Sequence, residues 1–441
     1  MRTQSIRSSR ERSSQEANEK QSIQTNAIGI TSSPLQHILL WTAIIGPGLM
    51  VMFADTDAGS IITAAQSGAQ WGYRMILPQL ILIPILYVVQ EITVRLGMVT
   101  HKGHGELIRE HFGFGWAIIS VGTLFVASIG ALVTEFAGIA GVGEMLHISP
   151  WITVPFVTVL LVAIGLSGSY KRVERIGLAI GVLELFFLVA ALLVHPSASD
   201  LAFGLTHLPI MQKNYLFLLA ANVGAVIMPW MVFYQQGAVI DKHLKGKGEL
   251  KVARWDTWLG AILTQVVMIA VVIAMAATIG HTNPGASLNT IQDIAAALVP
   301  VLGSTGAILI CGLGMAGAGL LASLVVSLAG AWGIGEAFHL KHSLNLPFKE
   351  AKGFYIIYTL AHIGGAIFVL SGLSLINLTI DIEIMNALLL PIVLGFLLVL
   401  ERVALPAEQR MHGMYKWSAW TVSALVMSFG LYMVYNVIAQ L

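Results

Sequence analysis

The residues best suited to chemistry lie inside apolar runs, where polar side chains are costly to hold. One run reads GPGLMVMFADTDAGSIITAAQSGAQWGY, and at its midpoint Asp55, Thr56, Asp57, Ala58, Gly59 and Ser60 follow one another without a large apolar residue. A carboxylate in such surroundings stays ionised only beside positive charge, so this pair marks a place where a cation is held or passed. A second run reads ANVGAVIMPWMVFYQQ, where Pro229 removes a backbone hydrogen bond and frees a carbonyl about four residues back, near Ala225. Carboxylate and carbonyl oxygens are both hard ligands for cations. The two aspartates could instead form the catalytic pair of an intramembrane hydrolase. No Ser/His arrangement, H-E-x-x-H or second acid motif accompanies them. The HxxH spacings at His101/His104 and His339/His342 fall in connecting loops and are expected to be solvated.

The elements that carry these residues are membrane spans. The 441 residues are 56% hydrophobic and only 11% charged, with a mean hydropathy of +0.80. That charge content is less than half of the roughly 25% expected of a soluble domain. Apolar runs fall at about 37–68, 75–99, 115–146, 150–168, 173–195, 214–240, 255–280, 302–335, 353–371, 374–400 and 417–439. The expectation is therefore an all-α polytopic protein of about eleven transmembrane helices in a lipid bilayer. Residues 1–35 are rich in Ser, Gln and Arg and are read as a disordered cytoplasmic tail, with a transmembrane domain over 36–441.

The connecting loops alternate in basicity. The N-terminal segment, His101–Arg109, Lys171–Arg175, Lys242–Arg254, Lys341–Lys352 and Arg402–Lys416 hold the Lys and Arg excess and are assigned to the cytoplasm. An odd number of spans then places the C-terminus outside, with the plasma or inner membrane as the expected location. A net charge of +1 gives no reason to expect nucleic acid, and one cysteine, Cys311, allows neither an intrachain disulfide nor a thiolate cluster. No obligate protein partner is evident.

Asp55, Asp57, Glu91, Glu135, Glu184, Asp381 and Glu383 fall within the spans, whereas no Lys or Arg falls mid-span. A path lined by acids suits cations. Glu91 and Glu184 could equally be structural, being near span ends or lacking polar neighbours. The two helix breaks occupy the first and sixth spans, matching places in two five-span halves at about 37–195 and 214–402, followed by an extra helix at about 417–439. Matched discontinuous helices are the sequence pointer to a transporter site near the midplane.

The opening GPG, the D-x-G-x turn Asp57–Ser60, the Q-x-GAQ-x-GY run from Gln66 to Tyr73, VRLGMVT from Val94 to Thr100 and GAVIMP from Gly224 to Pro229 occur in one order and spacing. In this the chain resembles the NRAMP (natural resistance-associated macrophage protein) family of divalent metal transporters, from Gly46 to about Pro391. The resemblance implies a LeuT-type fold, an inverted repeat of five plus five helices with an additional helix. It also implies metal ligands at Asp57, Ser60, the Ala225 carbonyl and the Met228 thioether, where the family has DPGN and MPH motifs. The thioether would add a soft ligand that favours transition metals. The implied substrate is a divalent metal ion, with no resident cofactor and no enzymatic activity.

The departures from the family carry their own expectations. DPGN has become DAGS and MPH has become MPW, so Trp230 replaces a histidine linked in the family to proton movement. The third-span pattern reads Thr134, Glu135, Phe136, Ala137, Gly138 without its last acid, and the ninth span lacks arginines and retains only His362 near neutrality. Asp55 and Glu383 are added acids. A shorter ligand with acids at a distance suits an ion that keeps part of its water shell, as Mg²⁺ does. The pattern is thus similar to the NRAMP-related magnesium transporters, with weak or absent proton coupling and with Mn²⁺ also accepted through Met228. A proton-coupled Mn²⁺/Fe²⁺ carrier and a sodium-coupled small-solute carrier on the same scaffold are the alternatives.

Overall fold

The computed structural model describes residues 45–288, 290–372 and 375–438. The proposed disordered tail, 1–35, lies outside the described residues. Every regular element among those described is helical: α1 (Pro47–Asp55), α2 (Ala58–Trp71), α3 (Ile76–Thr100), α4 (His104–Phe112), α5 (Phe114–Met145), α6 (Pro150–Gly165), α7 (Tyr170–Gly181), α8 (Phe186–Leu193), α9 (Ala198–Thr206), α10 (Lys213–Val226), α11 (Pro229–Asp241), α12 (Gly246–Ala277), α13 (Ile279–Thr282), α14 (Ile291–Ala337), α15 (Lys352–Leu370), α16 (Leu375–Val403) and α17 (Gly413–Ile438).

Among the described residues, nine helical runs are long and apolar enough to cross a membrane. The difference from eleven expected spans has a simple origin. The first span is broken into α1 and α2, and α2 joins α3 through the turn at Gly72–Met75 into one continuous run, Ala58–Thr100. The fourth, Pro150–Gly165, is apolar but has only 16 residues. One boundary moves outright. Helix α14 begins at Ile291 rather than near 302, because Thr290 and Asp293 form a reciprocal capping box there, and the chain bends at Gly303 (φ 69°) where the expected span began.

The bundle is organised around the broken helices. Helix α12 lies along α1, α2 and α3, α10 packs against α16, and α5 packs along α14. Both breaks are produced locally. Asp57, in extended conformation, caps α2 by accepting the Ser60 amide at 2.6 Å, an interaction of about 0.5–2 kcal/mol. Met228, also extended, precedes Pro229 at the first position of α11, where a proline costs no hydrogen bond.

One end of the bundle gathers the loops assigned to the cytoplasm. Asp256 of α12 accepts the Gly46, Gly48 and Leu49 amides at the start of α1, at 3.1, 2.7 and 3.2 Å. Lys242 and Glu174 pair beside it at 2.8 Å, both side chains nearly buried. Glu91 is held by Arg95 at 2.6 Å, Arg254 at 2.6 Å and Tyr415 Oη at 2.9 Å. That settles Glu91 as a structural acid. His104 departs from expectation: it is fully buried with its ring edge-on to Phe233, and burial pushes its pKa down to about 4. It stays neutral because α4 tucks under α11 and removes it from solvent. His101 and His339 are exposed as expected.

Candidate ion site

The two breaks meet. Ser60 Oγ donates to the carbonyl of Ala225 at 2.8 Å, joining the start of α2 to the end of α10 across 165 residues of sequence. The proline at 229 leaves that carbonyl without its helical partner, and the neighbouring break supplies a hydroxyl instead. Asp57 uses Oδ1 for its cap, while Oδ2 is buried with no hydrogen-bond partner. Asp57, Ser60, Ala225 and Met228 are all at most 1% exposed. The structure thus brings three of the four expected ligand positions into one chain of contacts, with Met228 three residues past Ala225.

Met228 is engaged in a way the sequence did not disclose. The Trp230 indole N–H donates to its sulfur at 3.2 Å. Trp230 therefore brings a donor as well as a non-titrating ring: it engages one of the two lone pairs of the sulfur and leaves the other open.

Acids surround Asp57 in two groups. On the α2 side, Glu135 Oε2 accepts the Ala58 amide at 3.1 Å, and its carboxyl lies against that of Asp57. Glu383 sits over Gly59, where a Cβ would fall 2.5 Å from Oε1, and its Oε2 accepts from Asn386 at 3.0 Å. Free amides at the start of α2 and the positive end of its dipole offset these charges. On the α1 side, Asp55 occupies the last turn of its helix, where the dipole is negative. Its Oδ2 accepts from Thr264 Oγ1 at 3.3 Å, Thr264 in turn contacts Thr56 Oγ1 at 2.6 Å, and Oδ1 has no partner.

Of the remaining acids, Asp381 is exposed on α16 and takes no part. Glu184 is fully buried with both oxygens unpartnered, within electrostatic reach of Asp57 and Asp55. Thr264 and Asn386 were missed by sequence reasoning. Asn386 follows Glu383 by three residues, so helical spacing could have found it; Thr264 lies 209 residues from Asp55 and carries no local signal. The lost third-span acid also has a steric reason. A Cβ at Gly138 would come within 2.6 Å of Ala58 Cβ, so α5 and α2 touch where that side chain would stand.

Crossed, broken helices meeting at buried carboxylates inside a membrane bundle define a polytopic membrane carrier of the LeuT type. The sequence matches a family model described as natural resistance-associated macrophage protein-like over residues 48–436, and the chain belongs to that family. Relatives include divalent metal cation transporter MntH 1 of Pseudomonas aeruginosa, 25% identical over 319 residues, covering 69% of this chain and 71% of that protein. MntH of Klebsiella pneumoniae is 27% identical, covering 65% and 70%. A crystal structure of the Eremococcus coleocola manganese transporter superposes with a TM-score of 0.74 at 18% identity, covering 91% of this chain and 88% of that one. A sodium-coupled sialic acid symporter shares the fold more distantly, with a TM-score of 0.59 at 15% identity over 89% and 88%.

Proposed function

We propose that this chain carries divalent metal cations, Mn²⁺ and Mg²⁺, across a membrane by alternating access. The observation that carries the reading is the Ser60–Ala225 contact between the two breaks beside a buried, half-unpartnered Asp57. Asp57 Oδ2, Ser60 Oγ, the Ala225 carbonyl and Met228 sulfur are the ligands in this reading. Asp55 and Glu383 hold outer waters, and Glu135 and Trp230 border the path. The named relatives from Pseudomonas and Klebsiella are divalent metal cation transporters, which favours a metal over an organic solute and over hydrolysis.

The acceptance of Mg²⁺ rests on the balance of donors. Oxygen groups outnumber the single sulfur, and Trp230 already donates to that sulfur. Mg²⁺ is held by one or two carboxylates and keeps several waters. Competitive uptake of Mn²⁺ and Mg²⁺ into proteoliposomes tests this. Met228→Ala is expected to weaken Mn²⁺ on the order of 10-fold while sparing Mg²⁺, and Asp55→Asn or Glu383→Gln to lower Mg²⁺ uptake more than Mn²⁺. Equal loss of both ions in Met228→Ala would make the sulfur a packing group. No Mg²⁺ uptake by the wild type would leave an ordinary Mn²⁺ or Fe²⁺ carrier.

Proton coupling is weak or absent in this reading. Trp230 does not titrate, Gly138 leaves no room for an acid, and His362 is buried between the Tyr358 carbonyl at 3.0 Å and Ser327 at 3.5 Å. Metal influx should then barely change the lumenal pH of proteoliposomes loaded with a pH-sensitive dye. Robust metal-driven acidification would support the second reading, a proton-coupled carrier, which the contact of Glu135 with Asp57 favours. The clustering of Glu174, Lys242, Arg254 and the start of α1 at one end supports a cytoplasmic N-terminus and an outside C-terminus in the plasma or inner membrane.

A further inference from the structure

Glu184 has no place in the ligand set above. It lies in the short 3₁₀ segment Val182–Leu185 between α7 and α8. Such tight turns inside a membrane helix often mark a functional position. The packing of α7 on α1 fixes the level at which it sits. A Cβ at Gly46 would lie 2.3 Å from Glu174 Oε1, one at Gly177 2.5 Å from Met50 Cε, and one at Gly181 2.8 Å from Phe53 Cγ. The two helices therefore run parallel and in register, and one further turn brings Glu184 level with the break at Thr56 and Asp57.

Glu184 arrives there without compensation. Neither oxygen has a hydrogen-bond partner, and the charged groups that face it are Asp57 and Asp55. From α14, the element packed on its other side, Gly317 presents a backbone against Leu183 Cβ at 2.8 Å from the position of its own Cβ, with no charge. Asp55 Oδ1 is likewise unpartnered, and Asp55 ends α1, whose terminal carbonyls add negative potential. The contrast with the α2 side is chemical: Glu135 and Asp57 meet helix amides there, whereas Asp55 and Glu184 meet only other negative groups and the Thr264 hydroxyl. Ionised, an arrangement of this kind is strongly unfavourable in an apolar interior, and it is relieved either by protons or by a cation that enters between the two carboxylates.

We propose that Asp55 and Glu184 form a second binding position for a divalent cation, on the α7 side of the break, which receives the ion from or delivers it to Asp57. Two carboxylates and retained water suffice for a hard ion such as Mg²⁺ or Mn²⁺. This deepens the metal-transport reading and rests on it.

The test is Mn²⁺ binding, followed by electron paramagnetic resonance of the free ion, to the full-length protein in lipid nanodiscs. Wild type should bind Mn²⁺. The Asp57→Asn protein should retain a weaker Mn²⁺ site, and adding Glu184→Gln should weaken it at least about 10-fold further, whereas adding Asp381→Asn, at an exposed acid outside the site, should not. Asp55→Asn in the Asp57→Asn background addresses the same position from α1 if Glu184→Gln does not yield folded protein. Complete loss of binding in Asp57→Asn alone, or residual binding indifferent to both Glu184→Gln and Asp55→Asn, overturns the second position while leaving the first intact. Failure of the wild type to bind Mn²⁺ or Mg²⁺ overturns the metal-transport reading itself.

Discussion

Asp57→Asn should reduce Mn²⁺ and Mg²⁺ uptake by proteoliposomes to background, at least about 100-fold below wild type, with the protein still folded. A 100-fold loss corresponds to about 2.7 kcal/mol, a modest figure for removing a charged ligand from a dehydrated site. Folding survives because asparagine caps helices about as well as aspartate, so the amide of Ser60 keeps an acceptor. The substitution therefore separates the two roles assigned to the side chain in the proposed reading: Oδ1 serves the helix, and Oδ2, which has no hydrogen-bond partner, is the oxygen offered to the ion. Circular dichroism and the gel-filtration profile should match wild type. Uptake within a few-fold of wild type would remove Asp57 from the site.

The second large effect is architectural. A Cβ placed on Gly224 would lie 1.8 Å from the carbonyl oxygen of Glu383 and 2.8 Å from the amide of Ala387. Both are backbone atoms of α16, so no side chain can swing away, and relief requires α10 and α16 to separate. Gly224→Ala should destabilise the protein by about 3 kcal/mol or more, at or beyond the upper end of the usual overpacking cost, and should abolish uptake, since Ala225 and Glu383 are displaced together. Gly59→Ala is the matched control. Its Cβ would meet Glu383 Oε1 at 2.5 Å, the far end of a flexible side chain that can rotate. That variant should fold normally and alter only ion preference. A wild-type thermal unfolding midpoint for Gly224→Ala would show that the close approach of the helices is not what fixes the site.

How far the site could be read in advance differs from residue to residue. The position of both breaks was legible, because small and polar residues at 55–60 and a proline at 229 occupy matching places in the two halves, whereas Pro84 and Pro155 stand alone and are carried inside continuous helices. Ala225 as a freed carbonyl follows from the same local rules, whereas the cap that Asp57 makes on Ser60 was first seen in the structure. Glu91 and Glu184 were grouped together in sequence as acids near span ends or lacking polar neighbours. The structure separates them: Glu91 has two arginines and a tyrosine, one of them 163 residues away, and Glu184 has none of these. His104 appeared to lie in a solvated loop and is instead buried against Phe233.

Sequence by itself determined the class of protein, the family and the places where the helices break. These depend on neighbours along the chain: a bilayer forces each segment to satisfy its own backbone, so a break is written where it occurs. The tertiary structure decided which acids find basic partners, that Trp230 donates to the Met228 sulfur, that Ser60 reaches Ala225, and that Asp55 Oδ1 and both Glu184 oxygens are left without hydrogen-bond partners. Most of these depend on side chains from distant helices arriving at one depth and one face. Electrostatic cost is set by distances across the bundle rather than along the chain, and those distances exist only once the helices have packed.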